Sequence, residues 1–116
     1  MCGIAGWIDY DGCARDDQAA AARMARALEP RGPDAGGEWA DEDAYLVHRR
    51  LIVVDPVGGA QPMISPDGNI ILVYNGELYN TEDLREPLTA KGHKIIWHSD
   101  TEVLLHAFLE WGLAAF

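Results

Sequence analysis

Basic residues are scarce in this 116-residue chain: nine Lys and Arg stand against 19 Asp and Glu, a formal net charge of -10. A surface of that sign repels phosphate backbones and anionic headgroups, so no nucleic-acid partner and no membrane-surface role is expected. No stretch approaches the roughly 20 apolar residues that a membrane-spanning helix needs. The N-terminus has no basic region leading into an apolar one, so no secretory signal is read there. The two cysteines, Cys2 and Cys13, are too few for a disulfide framework. A reduced, cytoplasmic protein is the expectation. The separation of those cysteines is unlike a zinc knuckle, and the histidines at 48, 93, 98 and 106 show no H-x-x-x-H spacing. Gly36-Gly37 and Gly58-Gly59 lack the Lys and Ser/Thr that complete a phosphate loop. Neither a metal nor a nucleotide is expected in this chain.

What is present is an ordinary globular balance, 48% hydrophobic and 24% charged, over a length that suits one domain with a modest core. There is no internal repeat and no low-complexity tract. Gly3–Ile8 reads as a short strand and Asp11-Gly12 as a turn. The alanine-rich segment Gln18–Ala27 reads as a helix running to Leu28, capped by Asp16 or Asp17 and ended by Pro30. Pro30–Gly37 reads as an irregular loop. Strands are expected at Glu38–Ala40, Ala44–His48 and Ile52–Val54. Pro66-Asp67-Gly68 predicts a hairpin turn leading into Ile70–Tyr74, a run that is apolar at every position and so reads as a strand covered on both faces. Thr81–Lys91 is a second helix and Lys94–Trp97 a further strand. A third helix, Thr101–Trp111, has the capping-box pair Ser99 and Glu102 and an apolar face of Val103, Leu104, Ala107, Phe108 and Trp111. The chain ends on Ala115-Phe116, apolar residues that read as a cut or as a surface meant for a partner. Mixed strands and helices with antiparallel hairpins place the chain in the α+β class.

Three features carry chemistry. A cysteine behind an initiator methionine says little alone. If Met1 is removed, however, Cys2 bears both a thiol and a free α-amine. Such amines titrate near ~7.7–8.0, so at neutral pH part of the population can act as a local base. Nucleophile and base then share one residue. Tyr74-Asn75-Gly76-Glu77 has two readings: a tight turn after an apolar strand, or a pair of donors, the Asn75 amide and the Gly76 N–H, facing a tetrahedral oxyanion. The third set is Arg31-Gly32-Pro33-Asp34, His48-Arg49-Arg50-Leu51 and Ser99-Asp100-Thr101-Glu102. These read as a rigid loop, a solvated basic pair and a helix cap, or as the complement of an amino acid. In the latter reading Arg50 meets an α-carboxylate, and Glu77 and Asp100 meet an α-ammonium.

With Gly59-Ala60-Gln61-Pro62-Met63 added, these motifs fall in an order that resembles the N-terminal glutaminase domain of glutamine-dependent asparagine synthetases, from Cys2 to about Trp111. The resemblance implies a class II amidotransferase domain with the N-terminal nucleophile fold, a four-layer αββα sandwich. Residues 1–116 would be its N-terminal portion, with further strands and an ATP-dependent synthetase domain lying beyond. It implies Cys2 as the nucleophile, Asn75 and Gly76 as the oxyanion hole, Arg50, Glu77 and Asp100 as glutamine-binding residues, and Arg31 as support for the loop beside the thiol. L-glutamine is then the substrate, and ammonia is passed to a covalently linked synthetase domain for asparagine synthesis. ATP and magnesium are expected only in that domain, and no cofactor in this chain. A homodimer is carried as a further assembly state. The competing readings are a truncated, non-catalytic glutamine-binding or scaffolding domain, and an amidotransferase domain serving a natural-product acceptor.

Overall fold

Strand β1, Gly3–Ile8, opens a three-stranded antiparallel sheet that also contains β2, Ala35–Ala40, and β3, Ala44–Arg50, in the order β1-β3-β2. The computed structural model describes residues 1–116. In the central strand β3, Val47 faces Ala5 on one side and Glu38 on the other. The hairpin joining β2 to β3 is closed by Asp41, whose Oδ1 accepts the N–H groups of Asp43 (2.9 Å) and Ala44 (2.8 Å).

Helix α1, Gln18–Leu28, follows a single 3-10 turn at Ala14–Asp16. Of the two candidate caps it is Asp17 that acts, accepting the Ala20 N–H at 2.9 Å. The alanines of α1 let it lie close against the sheet. Ala21 packs with Ala14, Tyr45 and Val47, with Ala5, Trp7, Ala25 and Ala40 around them. Trp7 stacks on Tyr45 at 4.7 Å between ring centres, and the Tyr45 hydroxyl donates to Glu38 at 2.7 Å. That acceptor, with burial adding to it, pushes the Tyr45 pKa above its ordinary value.

The chain divides into two compact units. The first holds the elements above, together with Ala60–Pro62 and Val73–Asn75; the second comprises Val53–Gly59, Met63–Leu72 and Gly76–Phe116. In the second, two-residue strands β4, Met63–Ile64, and β5, Ile71–Leu72, pair antiparallel around the expected turn. Asp67 ties that turn by accepting the Ser65 hydroxyl at 2.5 Å and the Asn69 N–H at 3.1 Å. Helices α2, Thr81–Ala90, and α3, Asp100–Trp111, pack through Leu88, Val103 and Ala107, with Leu78, Leu84, Ile95 and Trp111 around them.

Several expected elements take another form. β2 begins at Ala35, three residues before the predicted strand, because Ala35, Gly36 and Gly37 pair with Arg50, Arg49 and His48. Ile52–Val54 is not a strand: Ile52 gives its N–H to Asp34 Oδ2 at 2.8 Å, and Val53 is 81% exposed. Lys94–Trp97 is not a strand either. The run Ile70–Tyr74 contributes only Ile71 and Leu72 to a strand, and its residues are half-buried instead of covered on both faces. The capping box at α3 is only half formed. Ser99 Oγ accepts the Thr101 N–H at 3.1 Å, but the Glu102 carboxylate turns to Ile96 and Trp97, accepting their N–H groups at 3.1 and 2.7 Å. The first two turns of α3, Thr101–Ala107, are buried on every side and not along one stripe.

Candidate active site

The pleat of β3 sorts its side chains between two faces. Tyr45 and Val47 point toward α1, while His48 and Arg50 point away from it. Cys2 directly precedes β1, whose Gly3 stands opposite Arg49. Alternation therefore sends Cys2 to the face shared by His48 and Arg50. Its half-buried Sγ accepts the N–H of Leu51, the residue after Arg50, at 3.4 Å. The Cys2 carbonyl accepts a hydrogen bond from Arg31 Nε at 3.2 Å. Arg31 thus holds the main chain beside the thiol and does not approach the sulfur through that bond. Cys13 sits in the turn before the 3-10 helix, where its carbonyl accepts the Asp16 N–H.

The motif Arg31–Asp34 and the end of β3 form one seam. Asp34 N–H donates to the Arg50 carbonyl at 3.0 Å, and Arg49 Nε donates to the Gly32 carbonyl at 3.0 Å. A Cβ at Gly32 would overlap the backbone of Arg49 and Arg50, so only glycine permits this approach. Arg50, 7% exposed, is thereby anchored through its backbone at the strand end. The thiol thus lies just before β1 and the guanidinium at the end of β3.

Two residues named only within motifs acquire a place here. His48 is 1% exposed, and its Nε2 has no hydrogen-bond partner. Burial pushes its pKa below the usual histidine value; a hydrogen bond with the Tyr74 backbone works the other way, and the charge of Arg50 adds to the depression. Gln61 Oε1 accepts the Tyr74 N–H at 2.5 Å. A Cβ at Gly37 would strike the Gln61 carbonyl, so that glycine lets this segment lie against the sheet. Half-buried Asn75 follows Tyr74 directly. The spacing His48-x-Arg50 on a strand is the signal that puts histidine and arginine on one face; nothing local points to Gln61.

In the second unit Gly76 and Glu77 are exposed. The next residue, Leu78, donates its N–H to Asp100 Oδ2 at 3.1 Å, and its carbonyl accepts the Thr81 hydroxyl at 2.6 Å. Asp100 begins α3 under the Ser99 cap. The sequence left Asp100 outside the capping box and free for other work; one of its oxygens is committed to the backbone beside Glu77. No group of three or more His, Cys, Asp or Glu is arranged to hold a metal ion.

The sequence profile described as a glutamine amidotransferase domain matches residues 1–116. Glutamine-hydrolyzing asparagine synthetase 3 of Bacillus subtilis is 46% identical over 113 residues, covering 96% of this chain and 18% of that protein. The Arabidopsis thaliana glutamine-hydrolyzing asparagine synthetase 1 is 43% identical over 116 residues, covering 97% and 19%. A nodule glutamine-hydrolyzing asparagine synthetase of Pisum sativum is 42% identical over 115 residues, again covering 97% and 19%. The chain spans about a fifth of the length of the curated relatives it matches, at their N-terminal part.

Proposed function

The chain belongs to the glutamine amidotransferase domain family, and from that premise we propose that Cys2 releases ammonia from glutamine through a γ-glutamyl thioester. The observation that carries this reading is the setting of the thiol. Cys2 Sγ is held at 3.4 Å by the Leu51 N–H, the residue beyond buried Arg50, while Arg31 fixes the Cys2 main chain. Met1 is 74% exposed, open to the aminopeptidase that would free the Cys2 α-amine.

The α-amine, through water, takes the thiol proton as sulfur attacks the side-chain carbonyl carbon of glutamine. The Asn75 amide and the Gly76 N–H receive the oxyanion. The carbon–nitrogen bond then breaks, the proton passes to the leaving nitrogen, and ammonia departs. Water attacks the thioester, the carbon–sulfur bond breaks, and glutamate leaves with the thiol restored. Arg50 holds the α-carboxylate, and Glu77 and Asp100 hold the α-ammonium. The names of the relatives support asparagine as the destination of the nitrogen, made by a linked synthetase domain that uses ATP and magnesium. Residues 1–116 are then the N-terminal portion of a four-layer N-terminal-nucleophile sandwich, supported by α1 packed on one face of an antiparallel sheet. A cytoplasmic location belongs to the same proposal; no helix is long and apolar enough to cross a membrane.

Intact mass before and after treatment with diazo-oxo-norleucine, a glutamine-like electrophile, tests this. The expected result is loss of Met1 and one adduct at Cys2, absent in Cys2→Ala, which also releases no glutamate. Retained Met1, or a processed Cys2 that forms no adduct, overturns the catalytic reading and leaves a non-catalytic domain.

A further inference from the structure

The backbone immediately before Asn75 is gripped by side chains that come from elsewhere in the fold. Tyr74 N–H donates to Gln61 Oε1 at 2.5 Å, a contact spanning 13 positions in sequence. The ring of His48, fully enclosed on β3, hydrogen bonds with the same stretch of backbone at Tyr74. The main chain of Gln61 lies directly against Gly37 of β2, where any side chain would collide with its carbonyl. Tyr74 is thus tied both to β3 and to a segment lying on β2.

We propose that Gln61, backed by His48, is a positioning residue that sets the direction of the Asn75 side chain toward the developing oxyanion. This rests on the glutaminase reading above. An oxyanion donor contributes only when it is held within a fraction of an ångström of its working position, and removing one slows acyl transfer by ~10²–10³. The Tyr74 N–H lies in the peptide unit before the one that joins Tyr74 to Asn75, so freedom there passes through the Tyr74 φ and ψ into the direction of the Asn75 Cα–Cβ vector. Gln61 touches neither the substrate nor the reacting atoms. It acts by removing that freedom before glutamine arrives, which lowers the cost of organising the transition state without altering the grip on the amino-acid head group.

The test is steady-state glutamine hydrolysis by the intact protein carrying this domain, with Gln61→Leu and Gln61→Glu. Gln61→Leu removes the acceptor and should lower kcat about 10-fold or more, with KM for glutamine within about twofold. Gln61→Glu keeps an oxygen for the Tyr74 N–H and should recover most of that loss. In an Asn75→Ala background, Gln61→Leu should add nothing, since its target is gone; a general structural defect would multiply instead. Retained kcat in Gln61→Leu, or full multiplicativity with Asn75→Ala, overturns the inference while the wild type still hydrolyses glutamine. If Gln61→Leu does not fold, Gln61→Met, of the same length without an oxygen, answers to the same two criteria. A wild-type protein that releases no glutamate overturns the parent reading and this inference with it.

Discussion

Glu102 separates two accounts of how α3 begins. A capping box would spend its carboxylate on the helix entrance, where glutamine serves as well as glutamate and the loss costs about 1 kcal/mol or less. The structure instead buries Glu102 to 7% exposure and aims both oxygens at the N–H groups of Ile96 (3.1 Å) and Trp97 (2.7 Å). Two backbone donors then depend on one carboxylate. Each donor stripped of its acceptor costs roughly 1–3 kcal/mol, and because Ile96 is 73% exposed, water recovers part of the loss on that side. Glu102→Ala should therefore destabilise by about 2–3 kcal/mol. Glu102→Gln should cost about 1–2 kcal/mol, because its single oxygen serves one N–H while its amide presents a donor to the other. Urea denaturation followed by tryptophan fluorescence at pH 7 measures both, with the midpoint moving and the m-value unchanged. Amide exchange at Ile96 and Trp97 gives the local readout: both amides should lose protection in Glu102→Ala, and one of them in Glu102→Gln. A Glu102→Gln protein within ~0.5 kcal/mol of wild type would refute the reasoning and restore the capping box.

Stability should fall as the pH is lowered through the histidine range. Burial holds His48 and His106 below their ordinary pKa; for His106 the charge of His93 adds to this and Glu102 opposes it. The unfolded chain takes these protons near pH ~6.5 and the native chain only below that, so stability is full above about 6.5 and is lost as the pH falls. Urea midpoints measured from pH 8 to 5 should show the decline, and His106→Leu should flatten it; a flat wild-type profile would contradict the assignment. Arg50→Lys keeps a charge but loses the two-pronged guanidinium, so KM for glutamine should rise about 10- to 100-fold with a smaller change in kcat; an unchanged KM would remove Arg50 from substrate binding. Gly37→Ala drives a methyl group into the Gln61 carbonyl and should cost about 1–3 kcal/mol in the same urea assay, whereas a neutral exchange would mean that residues 60–62 shift freely.

The elements legible in the sequence are those with local causes. Asp17 begins α1, Ser99 begins α3, and Asp67 closes the turn before β5, each by a side chain reaching a backbone N–H two or three residues along or to its side. The candidate site residues were picked out for another reason. Cys2, Arg50, Asn75, Glu77 and Asp100 sit in motifs whose chemistry fits one amino-acid substrate, whatever the strand lengths between them. What could not be read were the apolar runs Ile52–Val54 and Lys94–Trp97. Strand propensity is realised only where another strand offers a ladder. Here carboxylates supply the acceptors instead, Asp34 to Ile52 and Glu102 to Ile96 and Trp97.

By itself, then, the sequence determined the helices, the turn chemistry and a candidate set of groups complementary to an amino acid, because capping, periodicity and residue type act over a few positions. Only the tertiary structure decided which backbone groups meet which side chains across long separations. The Leu51 N–H reaches Cys2 across 49 positions, the His98 N–H reaches Asp55 across 43, and the Tyr74 N–H reaches Gln61 across 13. A buried N–H must find some acceptor, but which one is settled by packing, and in this chain that choice fixes the thiol and braces the backbone before Asn75.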